Sequence, residues 1–226
     1  MTKRITNRIL VPCRLMAIMI CLWTQPALAQ NKQYFDGEKT FYGGVVVGLN
    51  ASQVDGDALG GFHKPGLNAG LTVYWHFTPS VALQLELLYS QKGSKGVRND
   101  NDPYGGSYFE RYGIRLNYAE LPLLFHYVLS QKYQLGIGAS YNALISGSDT
   151  YEGVVAGTYD PAKYPFNKYF VDGIISLNVQ LYQGLMGNVR YQYGLSPVRD
   201  YAHTVPGFSS GNQINKLIAV RLIYLF

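Results

Sequence analysis

Apolar and polar residues alternate with a period of two along most of this chain, the pattern of strands with unlike faces. From Val81 to Gln91, Val81, Leu83, Leu85, Leu87 and Tyr89 share one face, and Ala82, Gln84, Glu86, Leu88 and Ser90 share the other. The same alternation runs through Leu67–Phe77, Tyr133–Ile145, Val171–Leu181 and Leu185–Leu195. It is fainter in Phe41–Asn50 and Ile114–Val128. It returns in Ile214–Phe226, where Ile218, Val220, Leu222, Tyr224 and Phe226 line one face, and Asn215, Leu217, Ala219, Arg221, Ile223 and Leu225 the other. Eight strands are predicted.

The connections predict how these strands are joined. Thr78-Pro79-Ser80, Ser130-Gln131-Lys132 and Tyr182-Gln183-Gly184 are short enough for tight turns. The stretches 51–65, 92–113, 147–169 and 196–213 are longer and carry Gly, Pro, Asp and Asn throughout, so they read as loops. Short and long connections in alternation predict an up-and-down antiparallel meander with both termini at the short-turn end.

Which face turns inward decides the environment. The polar, glycine-rich face suits a narrow interior, and the large apolar face is then left outside. Trp75, Phe77, Tyr89, Tyr127, Tyr133 and Phe226 sit at the ends of the apolar rows, where a membrane barrel carries its interfacial girdles. A closing strand that ends on Tyr224 and Phe226 fits the same reading, because lipid tolerates no open sheet edge, and this pair is the expected insertion signal. The expected fold is an all-β, eight-stranded transmembrane barrel with both termini periplasmic.

The N-terminus changes the picture of charge and compartment. Lys3, Arg4, Arg8 and Arg14 precede an apolar run, Leu15 to Trp23, and then Ala27-Leu28-Ala29. This is the pattern of a cleaved secretory signal over residues 1–29, followed by a short lead, 30–40, and the barrel, 41–226. The apolar run is shorter than the roughly 20 residues of a spanning helix. Four of the 19 basic residues and none of the 14 acidic ones lie in the signal, so the chain's formal charge of +5 belongs mostly to export. A nucleic-acid partner is not expected. Cys13 and Cys21 lie there too, which leaves the exported part without a thiol for disulfides, thiolate metal sites or nucleophilic catalysis.

Several segments resemble the PorT-like outer-membrane β-barrel family of Bacteroidota. They are Gly43-Gly44-Val45-Val46-Val47-Gly48-Leu49-Asn50, Leu85-Glu86-Leu87-Leu88-Tyr89-Ser90-Gln91-Lys92-Gly93, Tyr118-Ala119-Glu120-Leu121-Pro122-Leu123-Leu124, Arg190-Tyr191-Gln192-Tyr193-Gly194-Leu195 and the terminal Phe226. The resemblance covers nearly all of the exported chain. It implies the barrel fold and the outer membrane. The family's namesake is associated with a secretion system for gingipain-like proteases.

Four inward charges are the main candidate site: Glu86, Glu120, Arg190 and Arg221. Similar depths along their strands predict one layer, with two carboxylates facing two guanidiniums across a lumen about as wide as its side chains. Such a layer plugs the lumen, or gates it for small solutes. It does not suit general acid catalysis, since the arginines hold both carboxylates ionised. Pro122, beside Glu120, predicts a bulge or kink. His76 and His126 are expected to fill the lumen near the periplasmic end; His63 and His203 fall in loops. No serine stands with His and a carboxylate in a nucleophile motif, and no cofactor or metal is expected. Aromatic residues of the long loops, Tyr104, Tyr108, Phe109, Tyr159, Tyr164 and Phe166, are candidate contacts for a protein or glycan partner. The expected function is non-enzymatic: a structural or docking protein of the envelope, with a narrow channel or secretion accessory as the alternative. Its expected partners are outer-membrane lipid and the barrel-assembly machinery, the latter through the C-terminal strand.

Overall fold

The computed structural model describes residues 40–57, 60–101, 107–130, 132–152, 165–200, 203 and 211–226. The strands are β1 (Phe41–Asp55), β2 (Lys64–Thr78), β3 (Val81–Asn101), β4 (Ser107–Val128), β5 (Tyr133–Glu152), β6 (Tyr169–Tyr182), β7 (Leu185–Gly194) and β8 (Ile214–Leu225). Each pairs antiparallel with the next, and β8 pairs with β1 from Gly44↔Leu225 to Asp55↔Ile214, which closes the barrel. The signal and lead expected at 1–29 and 30–40 lie outside the described residues apart from Thr40.

The faces are as the alternation predicts. Leu71, Leu87, Phe125, Ile137, Ile175 and Val220 are exposed on the outside, while their neighbours in sequence are buried within. Aromatic side chains frame this apolar band. Phe41, Trp75, Phe77, Tyr127, Tyr133, Tyr224 and Phe226 are exposed near the end that holds the termini and tight turns. Tyr89, Tyr141, Tyr169 and Tyr193 are exposed toward the loop end. At the turn end, Gly184 takes a φ of 69° between β6 and β7, a conformation that favours glycine. The Phe226 amide donates to the Gly43 carbonyl (2.9 Å), which ties the last residue to the first strand.

Three expectations need correction. First, most of 92–113 and the beginning of 147–169 are strand. The β3–β4 ladder continues to Asn101↔Ser107, and β4 pairs β5 up to Arg111↔Glu152. β3 and β4, at 21 and 22 residues, far exceed the 9–11 residues or so that cross a bilayer. Outside the lipid neither face is forced to be apolar, so the period-two signal fades while the backbone ladder persists.

Second, Pro122 causes no bulge. The β3–β4 pairing passes from Leu85↔Leu123 to Leu88↔Glu120 without a change of register, skipping the rungs opposite Leu121 and Pro122. The β4–β5 ladder's bulge lies instead on β5, where Ile145 is the extra residue opposite Asn117 and Tyr118.

Third, the inner face is not uniformly polar. An apolar cluster of Tyr42, Val46, Tyr74, Ala82, Leu88, Met186, Ile223 and Leu225 fills the turn end. A second, built on Val54, Tyr112, Ile114, Leu116, Tyr118, Phe170 and Val198, fills the loop end. Glu86, Arg190 and Arg221 lie between the two.

Candidate functional site

Glu86, midway along β3, receives two guanidiniums. Arg190 from β7 places Nη1 2.8 Å from Oε2. Arg221 from β8 spans the lumen with Nη1 3.1 Å from Oε2 and Nη2 3.2 Å from Oε1, the two-point geometry for which the planar fork is suited. Gln84 completes the carboxylate by donating to Oε1 (2.6 Å), and its other amide atom meets His126 Nε2 at 2.7 Å. Arg221 Nε donates to Asn188 Oδ1 (2.8 Å), Asn188 donates to Asn178, and Asn178 to the Tyr74 hydroxyl (2.9 Å). The network therefore joins β3, β4, β6, β7, β8 and β2. Burying charge is costly unless every group is paired, and this arrangement does most of that pairing.

A glycine makes room for it. Gly48 of β1 lies under Arg221, and a Cβ there would stand 2.5 Å from Arg221 Cγ and 2.5 Å from the Val220 carbonyl oxygen. Only a bare backbone lets the arginine leave its own strand and cross toward Glu86.

Glu120 does not join this layer. It pairs with Lys92 Nζ (2.7 Å), which also meets Asp172 Oδ2 at 2.6 Å. This second cluster sits nearer the loop end, with Lys92 Nζ 5.2 Å from the centre of the Phe170 ring and 5.7 Å from that of Tyr118. The single charge layer is thus corrected to two layers. Lys92 falls in the 92–113 stretch that reads as a loop, because its strand outlasts the alternation. The two clusters balance: two arginines against one carboxylate, then two carboxylates against one lysine.

A third ion pair lies above them. Arg199, in the connection after β7, is buried and places Nη2 2.7 Å from Asp149 Oδ2, with its guanidinium 3.7 Å from the centre of the Phe166 ring. Around it the connections are tied by backbone bonds: Asn167 donates to the Val198 carbonyl (2.8 Å), Val198 to Gln213 (2.8 Å) and Gln213 to Arg199 (2.9 Å). They form a cap over the loop end. Neither Arg199 nor Asp149 carries any sequence signal for this pairing, since they meet only once the cap folds inward.

The loop aromatics divide. Phe166 packs inward against the loop-end cluster, and Phe170 and Tyr112 belong to that cluster. Tyr108 and Phe109 lie in β4, opposite Asp100 and Asn99, rather than in a loop; their side chains, like all of Tyr104, Tyr159 and Tyr164, lie outside the described residues. His126 is buried, with Gln84 on one ring nitrogen and Asn178 3.4 Å from the other. His76 stacks edge-on with Tyr42 (5.5 Å between centres). No group of three or more His, Cys, Asp or Glu side chains fit to hold a metal occurs among the described residues.

A closed antiparallel barrel with an apolar exterior, aromatic girdles and a charged interior is an outer membrane barrel. Residues 28–200 match the family described as outer membrane protein beta-barrel domain, and the chain belongs to that family. No curated protein matches the sequence. Among solved structures, the chain is similar to Ail of Yersinia pestis, crystallised in complex with the heparin analogue sucrose octasulfate (TM-score 0.41, 10% identity, 83% of this chain and 100% of that chain). It is similar to OprG from Pseudomonas aeruginosa (TM-score 0.34, 12% identity, 82% of this chain and 94% of that chain). The outer membrane protease OmpT from Escherichia coli is a further likeness (TM-score 0.36, 13% identity, 82% of this chain and 95% of that chain).

Proposed function

We propose that this protein is a non-enzymatic envelope barrel whose lumen is plugged and whose work, structural or docking, is done by its loop end. The observation that carries the reading is the interior: Glu86, Arg190 and Arg221 interlock across the lumen, and apolar clusters lie on both sides of the charges. The long β3–β4 hairpin, with Tyr108 and Phe109 in its β4 strand, carries the partner contacts together with Tyr104, whether protein or glycan. Tyr159 and Tyr164 belong to the same proposed surface. The C-terminal strand, ending in Tyr224 and Phe226, is the proposed recognition element for the barrel-assembly machinery. Residues 1–29 are the proposed cleaved signal, and the PorT-like resemblance supports a Bacteroidota lineage.

Single-channel recording of the refolded barrel, residues 30–226, in planar bilayers tests the plug. The expected result is no discrete openings. Openings that change when Glu86→Gln or Arg190→Gln is introduced would replace this reading with the second one, a narrow channel or secretion accessory. One observation favours that second reading: both amide atoms of Gln192 and the Nε and Nη2 atoms of Arg190, all on β7, have no hydrogen-bonding partner among the described residues. A strip of underpaired polar groups is a surface that water can follow.

A further inference from the structure

The charges outside the lumen are unevenly matched. Asp55 pairs with Lys216. Lys64, Lys95 and Arg115 have no such partner. Arg115 stands opposite Gly93 on one side and Ser148 on the other, and Lys95 opposite Gly113. Among the described residues no carboxylate reaches any of the three, and the Lys64 ammonium donates only to the Pro65 carbonyl (3.3 Å). Burial, and then the positive fields of Arg115 and Lys95, hold Lys64 below the usual lysine value.

These three cations line one crevice of about 590 Å³, whose inner wall includes the buried Lys92, Ser94 and Tyr112. The crevice arises from strand lengths. The β2–β3 ladder starts at Asn68↔Ser90, while β3 and β4 run on together to Asn101↔Ser107, leaving a step in the rim. Gly93, at φ 137°, turns the β3 backbone at the step.

Its height on the barrel identifies the ligand. Gln91 Nε2 donates to the Tyr89 hydroxyl (3.3 Å), that hydroxyl donates to Asn117 Oδ1 (3.0 Å), and Asn117 donates to Ser146 Oγ (2.8 Å). This outward polar row ends the lipid-facing band, and Lys95 and Arg115 are exposed one step beyond it. Below it, Leu67, Leu87 and Leu121 are exposed to lipid. With the loop end outward, the crevice stands at the headgroup level of the outer leaflet.

We propose that the Lys64–Lys95–Arg115 crevice binds the phosphate of an outer-leaflet glycolipid, whose acyl chains lie down the adjoining Leu67, Leu87 and Leu121 face. The arginine offers a planar fork to the phosphate oxygens and the lysines act as point charges. A soluble phosphate would have no use for the apolar face directly beneath.

The test is native mass spectrometry of the full-length protein, expressed and purified from outer membranes, delipidated, and titrated with bisphosphorylated lipid A. The expected result is a one-to-one adduct. Its affinity falls about tenfold or more in Lys95→Gln/Arg115→Gln and is unchanged in Lys132→Gln, an exposed cation at the turn end. Heat-dependent gel mobility checks that the variants fold, and the single Lys95→Gln variant, at an exposed position, serves if the double variant does not. Equal binding by wild type and variant would overturn the proposal. So would equal binding of dephosphorylated lipid A, which would mean an apolar annulus only. Displacement by an equal concentration of inorganic phosphate would reassign the crevice to a soluble anion.

Discussion

Arg221, five residues from the end of the chain, grips Glu86 of the third strand through both terminal nitrogens, at 3.1 and 3.2 Å. The contact spans 135 positions of sequence and joins strands that share no ladder. With Arg190 on the same carboxylate, Glu86 is the single anion on which two buried cations depend.

Glu86→Gln removes that anion and leaves two guanidiniums buried without charge compensation. The barrel loses about 3–5 kcal/mol. Replacing all three groups with apolar residues of similar size is expected to cost much less, because no charge is then left inside. Urea unfolding of the refolded barrels in lipid measures both.

Lys92 plays the mirror role for Glu120 and Asp172. Lys92→Met leaves two carboxylates facing each other and is expected to cost a similar few kcal/mol, about 3–5. Adding Glu120→Gln and Asp172→Asn to Lys92→Met is expected to recover most of the loss. Additive losses in that triple variant would show that the three residues do not act as one unit.

Gly48→Ala sets a Cβ 2.5 Å from Arg221 Cγ and from a backbone carbonyl that cannot easily move. It is expected to destabilise by about 1–3 kcal/mol. Gly173→Ala is the control: its Cβ would meet Leu195 at 3.6 Å, an ordinary contact, so stability should change by less than about 0.5 kcal/mol. Equal effects at the two sites would refute the role assigned to Gly48.

Arg199→Gln removes the latch between the cap and Asp149. Amide exchange at Asn167, Val198 and Gln213 is expected to quicken about tenfold or more, equivalent to about 1.4 kcal/mol. Exchange in β6 and β7 should not change. Uniform loosening of cap and strands would mean that Arg199 stabilises the whole barrel instead.

Alternation determined the strand count and, with the aromatic row ends, which face meets lipid, because a bilayer imposes a one-sided rule on every residue that crosses it; the spacing of short and long connections determined the antiparallel order. Alternation also marked Glu86, Arg190 and Arg221 as inward charges. What it left undecided lies where that rule stops. Above the membrane, β3 and β4 continue as a ladder held by backbone hydrogen bonds, which carry no side-chain signature, and so Lys92 was hidden in an apparent loop. Inside the barrel, parity places a side chain in the lumen but not at a height or against a partner. Strand tilt, register and a glycine beside Arg221 sent both arginines to Glu86 and left Glu120 to Lys92. The cap depends on closure as well: Arg199 reaches Asp149 across 50 residues only because eight strands bring their loops to one rim. Sequence period sets the face of each residue, and three-dimensional closure alone sets its neighbours.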